Sequence, residues 1–159
     1  MSKTLDKNIK NYALRLLSVR GRSEAELRRR INQKGFSPED TDLVIEYLKE
    51  HGFVNDRLFA KELVEHTCYV KSLGARGCIN YMRNLEIDKA VIEEITFPQD
   101  KEFEKAKKLL EKKRAYLAKY EGVDGIKKLY GFLQRRGFDS AVISEIIKQE
   151  YRQEDSSEG

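Results

Sequence analysis

The side chains in this sequence best suited to chemistry are cations. Arg20, Arg22, Arg29, Lys71, Arg76, Arg83, Lys127, Lys128 and Arg135 sit in short basic stretches spread along the chain. Arginine offers a planar fork and lysine a mobile point charge, and both suit phosphate or carboxylate oxygens. They form a candidate basic track for an anionic partner, protein or DNA. The chemistry is recognition rather than bond making.

Catalytic constellations are missing from the sequence. The stretch "KSLGARG" places glycines near basic residues but lacks the G-x-x-x-x-G-K order of a phosphate loop. His51 and His66 are the only histidines, and their spacing cannot make an i, i+4 pair. His66, Cys68 and Cys78 could be drawn as three metal ligands, yet three fall short of a closed structural site. Both cysteines also occupy positions that are leucine in other copies of an internal repeat, so they read as small buried hydrophobes with reduced thiols. The expectation is no enzyme, no metal and no cofactor.

The repeat is what positions the cations. "DKAVIEEI" (88–95) and "DSAVISEI" (139–146) agree in six of eight letters at an offset of 51. The same shift stacks Leu27, Cys78 and Leu129, then Ile31, Met82 and Leu133, then Phe36, Ile87 and Phe138, then Val44, Ile95 and Ile146. Ser37, Asp88 and Asp139 coincide as helix N-caps, as do Ser23, Gly74 and Gly125. First helices are expected near 7–19 and 101–119, middle helices near 24–34, 75–85 and 126–136, and third helices near 38–50, 89–95 and 140–151. Ile9, Tyr12, Ala13, Leu16 and Leu17 give the opening helix its apolar face. Gly35 and Gly137 end two middle helices in a left-handed turn, whereas Glu86 takes the glycine's place in the second repeat, so that turn should close differently.

The predicted fold is all-α: an elongated, curved array of three tandem three-helix repeats, about nine helices in all. Repeat 1 covers 1–55, repeat 2 covers 56–98 and repeat 3 covers 99–152, with 153–159 an acidic, disordered tail. No apolar run reaches membrane length, and the N-terminus lacks a secretory signal, so a cytoplasmic monomer is expected.

Charge follows helix type. Segments 24–36, 75–87 and 126–138 carry net +2, +1 and +4, while 37–50, 88–95 and 139–151 carry −4, −2 and −2. Two explanations stand: complementarity between the chain's own helices, or a basic face for an anionic partner. Arg28 and Arg30 align with apolar residues in other copies, which leaves Arg29 as the contact in "RRR".

The stretch "HGFVNDRLFAKELV" (51–64) joins repeats 1 and 2, with Gly52 ending one helix, Asp56 capping the next, and Phe53, Phe59 and Leu63 available to pack the junction. Gly52, Phe53, Asn55, Asp56, Phe59 and Ala60 make a pattern that resembles the signature of the RecX family, modulators of the recombinase RecA. "YALRLLSVRGRSEAELRRRINQKGF" (12–36) and "GARGCINYMRNLEI" (74–87) resemble the family's first two repeats, and the likeness covers about residues 9–151. The resemblance implies binding in the groove of the RecA filament on single-stranded DNA, with inhibition of ATP hydrolysis, strand exchange and LexA cleavage. It places the chain in recombination, DNA repair and the SOS response. The alternative is a non-specific DNA-binding helical-repeat protein acting without RecA.

Overall fold

In a computed structural model, the described residues are 4–157, the side chains of 153–157 excepted. They form nine helices and no strand: α1 (Lys7–Val19), α2 (Glu24–Lys34), α3 (Pro38–Glu50), α4, α5 (Ala75–Asn84), α6 (Lys89–Glu93), α7 (Gln99–Leu117), α8 (Gly122–Arg135) and α9 (Ser140–Ser157). Helix α4 runs from Asp56–Glu62 through a π-helical turn, Leu63–Thr67, to Cys68–Val70. The chain divides into two compact units, Met1–Leu63 with Tyr81–Ile95, and Val64–Asn80 with Thr96–Gly159. Helices α4 and α5 each contribute to both units.

The repeat is visible in the packing. Leu27, Cys78, Ile31, Met82, Leu133 and Val44 are fully buried, and Leu129, Ile87, Phe138 and Ile146 nearly so. The matched caps also form: Ser37 Oγ accepts from Asp40 N, Asp88 from Ala90 N at 2.7 Å, and Asp139 from Val142 N at 3.0 Å. Each satisfies a donor that the first turn of a helix leaves without a partner.

In the first unit, α1, α2 and α3 close around Ile9, Ala13, Leu27, Ile31, Val44, Ile45, Leu48 and Val54. Gly35 ends α2 at φ 108°, as its position demands. Glu86 does not close its turn differently. It adopts the same left-handed conformation at φ 61°, with its N–H on the Arg83 carbonyl at 2.9 Å and Ile87 N–H on that of Met82. An L-residue pays about 1–2 kcal/mol there, and the Arg29 guanidinium holds the Glu86 carboxylate at 2.6 Å.

The junction also differs in detail from its expected form. Asn55, not Asp56, caps α4, accepting from Leu58 N at 3.1 Å. The Asp56 carboxylate instead takes Glu24 N–H at 3.0 Å, tying the start of α2 to the start of α4. Gly52 turns at φ 73° and Ala60 is fully buried, but Phe53 is 52% exposed, and half-buried Phe59 lies against Gly21.

In the second unit, α7, α8 and α9 enclose Ala106, Leu109, Leu110, Leu129, Leu133, Phe138, Val142, Ile143 and Ile146. The start of α5 docks on the turn after α8 by backbone contact: Gly74 N–H reaches Arg136 O at 2.8 Å, and Arg76 N–H reaches Gly137 O at 3.0 Å. A Cβ on Gly74 would meet the Gly137–Phe138 backbone at 2.5–2.6 Å, one on Gly77 would run into the Arg136 carbonyl and one on Gly137 into the Gly77 backbone, so these glycines are spacers. Buried Glu102 of α7 supplies the cap that Gly74 lacks, accepting from Ala75 N at 2.8 Å while Lys105 pairs with it at 2.7 Å.

Three further expectations need correction. Helix α8 begins at Gly122, so Gly125 lies inside its first turn rather than capping it. Cys68 and Cys78 are buried as expected, but their sulfurs are bonded in a disulfide with Cα atoms 5.7 Å apart, not reduced. Finally, no proline or glycine interrupts the chain between Ile147 and Ser157, and α9 continues to Ser157, through tail residues expected to be disordered; 158–159 lie outside the described residues.

Candidate partner and nucleic-acid interface

The basic residues separate by what neutralises them. In the first unit Glu26 gathers three arginines: Arg20 at 2.7 Å, Arg22 at 2.5 Å and Arg30 at 3.0 Å. Arg22 is 8% exposed and also donates to the Leu16 carbonyl at 3.0 Å, so burial removes it from the contact surface on which it was expected. Burial pushes the Glu26 carboxyl up, but the hydrogen bonds and charges of Arg20 and Arg22 outweigh it and hold the group below its ordinary range. Arg28 pairs with Asp42 and Glu24, and Arg29 with Glu86. Of these pairs only Arg28–Asp42 joins a middle helix to a third helix; Arg29 and Arg30 meet acids of the middle-helix segments, so the α2 arginines are neutralised within the chain but not by helix-to-helix alternation alone.

Helix α8 is different. Lys127, Lys128 and Arg135 are exposed, and none makes an ion pair among the described residues. They line a cleft of about 450 Å³ with Tyr116, Tyr120, Phe132 and Asp124. Asp124, Lys128 and Phe132 follow the i, i+4, i+8 spacing of one helix face, with Arg135 one turn on. The Lys128 ammonium stands 4.9 Å from the Tyr120 ring centroid, a cation–π distance. Tyr116 meets Tyr120 edge-on at 5.8 Å, and its hydroxyl pushes the Tyr120 phenol above its usual range.

None of the other candidates lines this cleft. Arg76 is exposed on α5 in the second unit, and its backbone N–H is taken by Gly137. Arg83, further along α5, is exposed in the first unit. Lys71 is exposed, and its carbonyl accepts from Arg136 at 2.6 Å. Tyr116 and Tyr120 escaped the sequence reading because α7 does not keep the 51-residue register; two tyrosines four apart beside a basic helix were the available signal. Among the described residues no cluster of His, Cys, Asp or Glu is placed to hold a metal, and no helix is long and apolar enough to cross a membrane.

Comparison with known proteins bears on the same architecture. Residues 10–48 match the family description "RecX, first three-helix domain", and residues 100–147 match "RecX, third three-helix domain". The regulatory protein RecX of Chlorobium limicola is 36% identical over 139 residues, covering 86% of this chain and 85% of that protein. That of Caldanaerobacter subterraneus is 33% identical over 145 residues, covering 89% and 70%. The crystal structure of RecX from Lactobacillus salivarius superposes with a TM-score of 0.79 at 21% identity, covering 89% of this chain and 94% of that one. With its tandem three-helix fold and these matches over most of its length, the chain belongs to the RecX family.

Proposed function

We propose that this chain regulates RecA by binding the RecA–DNA filament, in its helical groove, and that its main effect is inhibition of ATP hydrolysis, strand exchange and LexA cleavage. It acts as a cytoplasmic monomer, without a cofactor and without catalysis of its own. Membership of the family supports the partner. The observation that carries the reading is the set of α8 cations, Lys127, Lys128 and Arg135, which make no ion pair among the described residues. A filament of recombinase and DNA is polyanionic along its nucleic acid, and unneutralised cations on a rigid helix are suited to it. Inhibition requires that one filament state be bound better than another, since equal binding would shift nothing.

The test is the DNA-dependent ATPase of RecA titrated with this protein, with binding to bare DNA measured in the same buffer. Inhibition well below the concentration that coats bare DNA is expected. No effect on the ATPase, together with steeply salt-dependent binding to bare DNA, would favour the alternative of a non-specific DNA-binding protein that works without RecA.

A further inference from the structure

The α7–α8 cleft combines two features that the charge alone does not require. Aromatic faces and cations line the same cleft, with the Lys128 ammonium 4.9 Å from the Tyr120 ring. Tyr116 is 48% exposed, and Tyr120 and Phe132 are half-buried beside Lys127, Lys128 and Arg135. A volume of about 450 Å³ falls in the range of roughly 300–1,000 Å³ typical of pockets for small organic groups. From this we infer that the cleft is a binding site for single-stranded nucleic acid, in which an unpaired base stacks on the tyrosines and the lysines and arginine take its flanking phosphates.

The inference deepens the functional reading of the same three cations and rests on it. A duplex would satisfy the cations but keeps its bases stacked internally, leaving no base to stack on Tyr116 or Tyr120. A strand offers both, because every base has a π face and every linkage a charge. An acidic peptide would also meet the cations, yet it gives the rings nothing specific and meets repulsion from Asp124. Asp124 opposes phosphate as well, but a base edge carries amino or imino donors that its carboxylate can accept, which an acidic side chain lacks. Anchoring is provided from below, since Phe132 packs against the core of the second unit. The platform is part of the fold rather than a loop.

The test uses the full chain without recombinase and three labelled probes of about 20 nucleotides: oligothymidylate, the same strand with abasic sugars, and a duplex. Fluorescence anisotropy should show oligothymidylate bound about tenfold more tightly than the abasic strand. Tyr116→Ala should remove most of that difference and leave abasic binding unchanged, whereas Lys127→Glu with Lys128→Glu should weaken both. Circular dichroism should show unchanged helicity for each variant. Equal binding of base-bearing and abasic strands by the wild type would overturn the inference. So would a Tyr116→Ala protein that keeps full preference for bases. If Tyr116→Ala lowers RecA inhibition with oligothymidylate affinity intact, a protein segment occupies the cleft and the inference also fails. The anisotropy result stands on its own if the lysine variant still inhibits RecA fully; in that case only the regulatory role of these cations falls.

Discussion

Helices α2 and α8 occupy the same place in two repeats, and both are basic, but their charges do opposite things. The arginines of α2 are spent inside the protein. Arg30 meets buried Glu26 beside Arg20 and Arg22, Arg28 meets Asp42, and Arg29 meets Glu86. The cations of α8 face a cleft whose carboxylate, Asp124, makes no ion pair with them. Net charge per helix does not separate these cases. Placement of the nearest acids does: Glu26 and Glu86 are held against arginines by the fold, whereas the acids of α9 are absent from the cleft lining. Positive charge that is already paired contributes structure, and only unpaired charge is left for a partner.

The largest expected effect that would break this contrast is on the α2 side. Glu26→Ala leaves the buried Arg22 guanidinium without its carboxylate, and removing one partner of a buried pair costs about 3–5 kcal/mol. Urea denaturation should show that loss; a change below about 1 kcal/mol would mean that the cluster is peripheral. The acid limb sharpens the same point. Because the Glu26 carboxyl is held below its ordinary value near 4.5, its contribution is complete above that pH. It is lost as pH falls through the lowered value of the folded protein. Glu26→Gln should therefore flatten the decline in stability below about pH 4.5, relative to wild type.

Next in size is the backbone contact of the second unit. Gly77→Ala forces a methyl group into the Arg136 carbonyl, and overpacking of this kind costs about 2–3 kcal/mol. A thermal midpoint equal to wild type would show that the glycines are not spacers. By contrast, Lys127→Glu with Lys128→Glu should change stability by no more than about 0.5 kcal/mol, as for surface substitutions that touch no buried partner. A small effect is also expected at the Glu86 turn. Glu86→Gly should change stability by no more than about 1 kcal/mol, in the favourable direction, because relief of the left-handed backbone offsets an exposed ion pair. Glu86→Ala keeps the backbone strain and loses the pair, so a denaturation midpoint below that of the glycine variant is expected.

Much of the fold was legible because helix signals are local. Ser37–Pro38 opens α3, Gly35 ends α2, and the 51-residue offset marks Leu27, Cys78 and Leu129 as one buried position. What escaped depended on distant partners. Glu86 was read as a different turn because the sequence does not display Arg29, 57 residues earlier, closing on it. Asp56 was read as its own helix's cap, whereas it caps α2 across 32 residues. The basic track rests on charge, and charge alone does not show availability. Arg22 looks like any other surface arginine until Leu16 and Glu26 are seen to enclose it. The cleft needed α7, the helix that departs from the repeat, and no internal copy could point to its tyrosines.

The central claim is that the unpaired cations of α8, and not the paired arginines of α2, engage the regulated partner. It is tested most directly by RecA ATPase inhibition, comparing Lys127→Glu with Lys128→Glu against Arg29→Gln at matched helicity. The account predicts that the lysine variant loses inhibition while Arg29→Gln inhibits like wild type. Full inhibition by the lysine variant, with loss in Arg29→Gln, would contradict it.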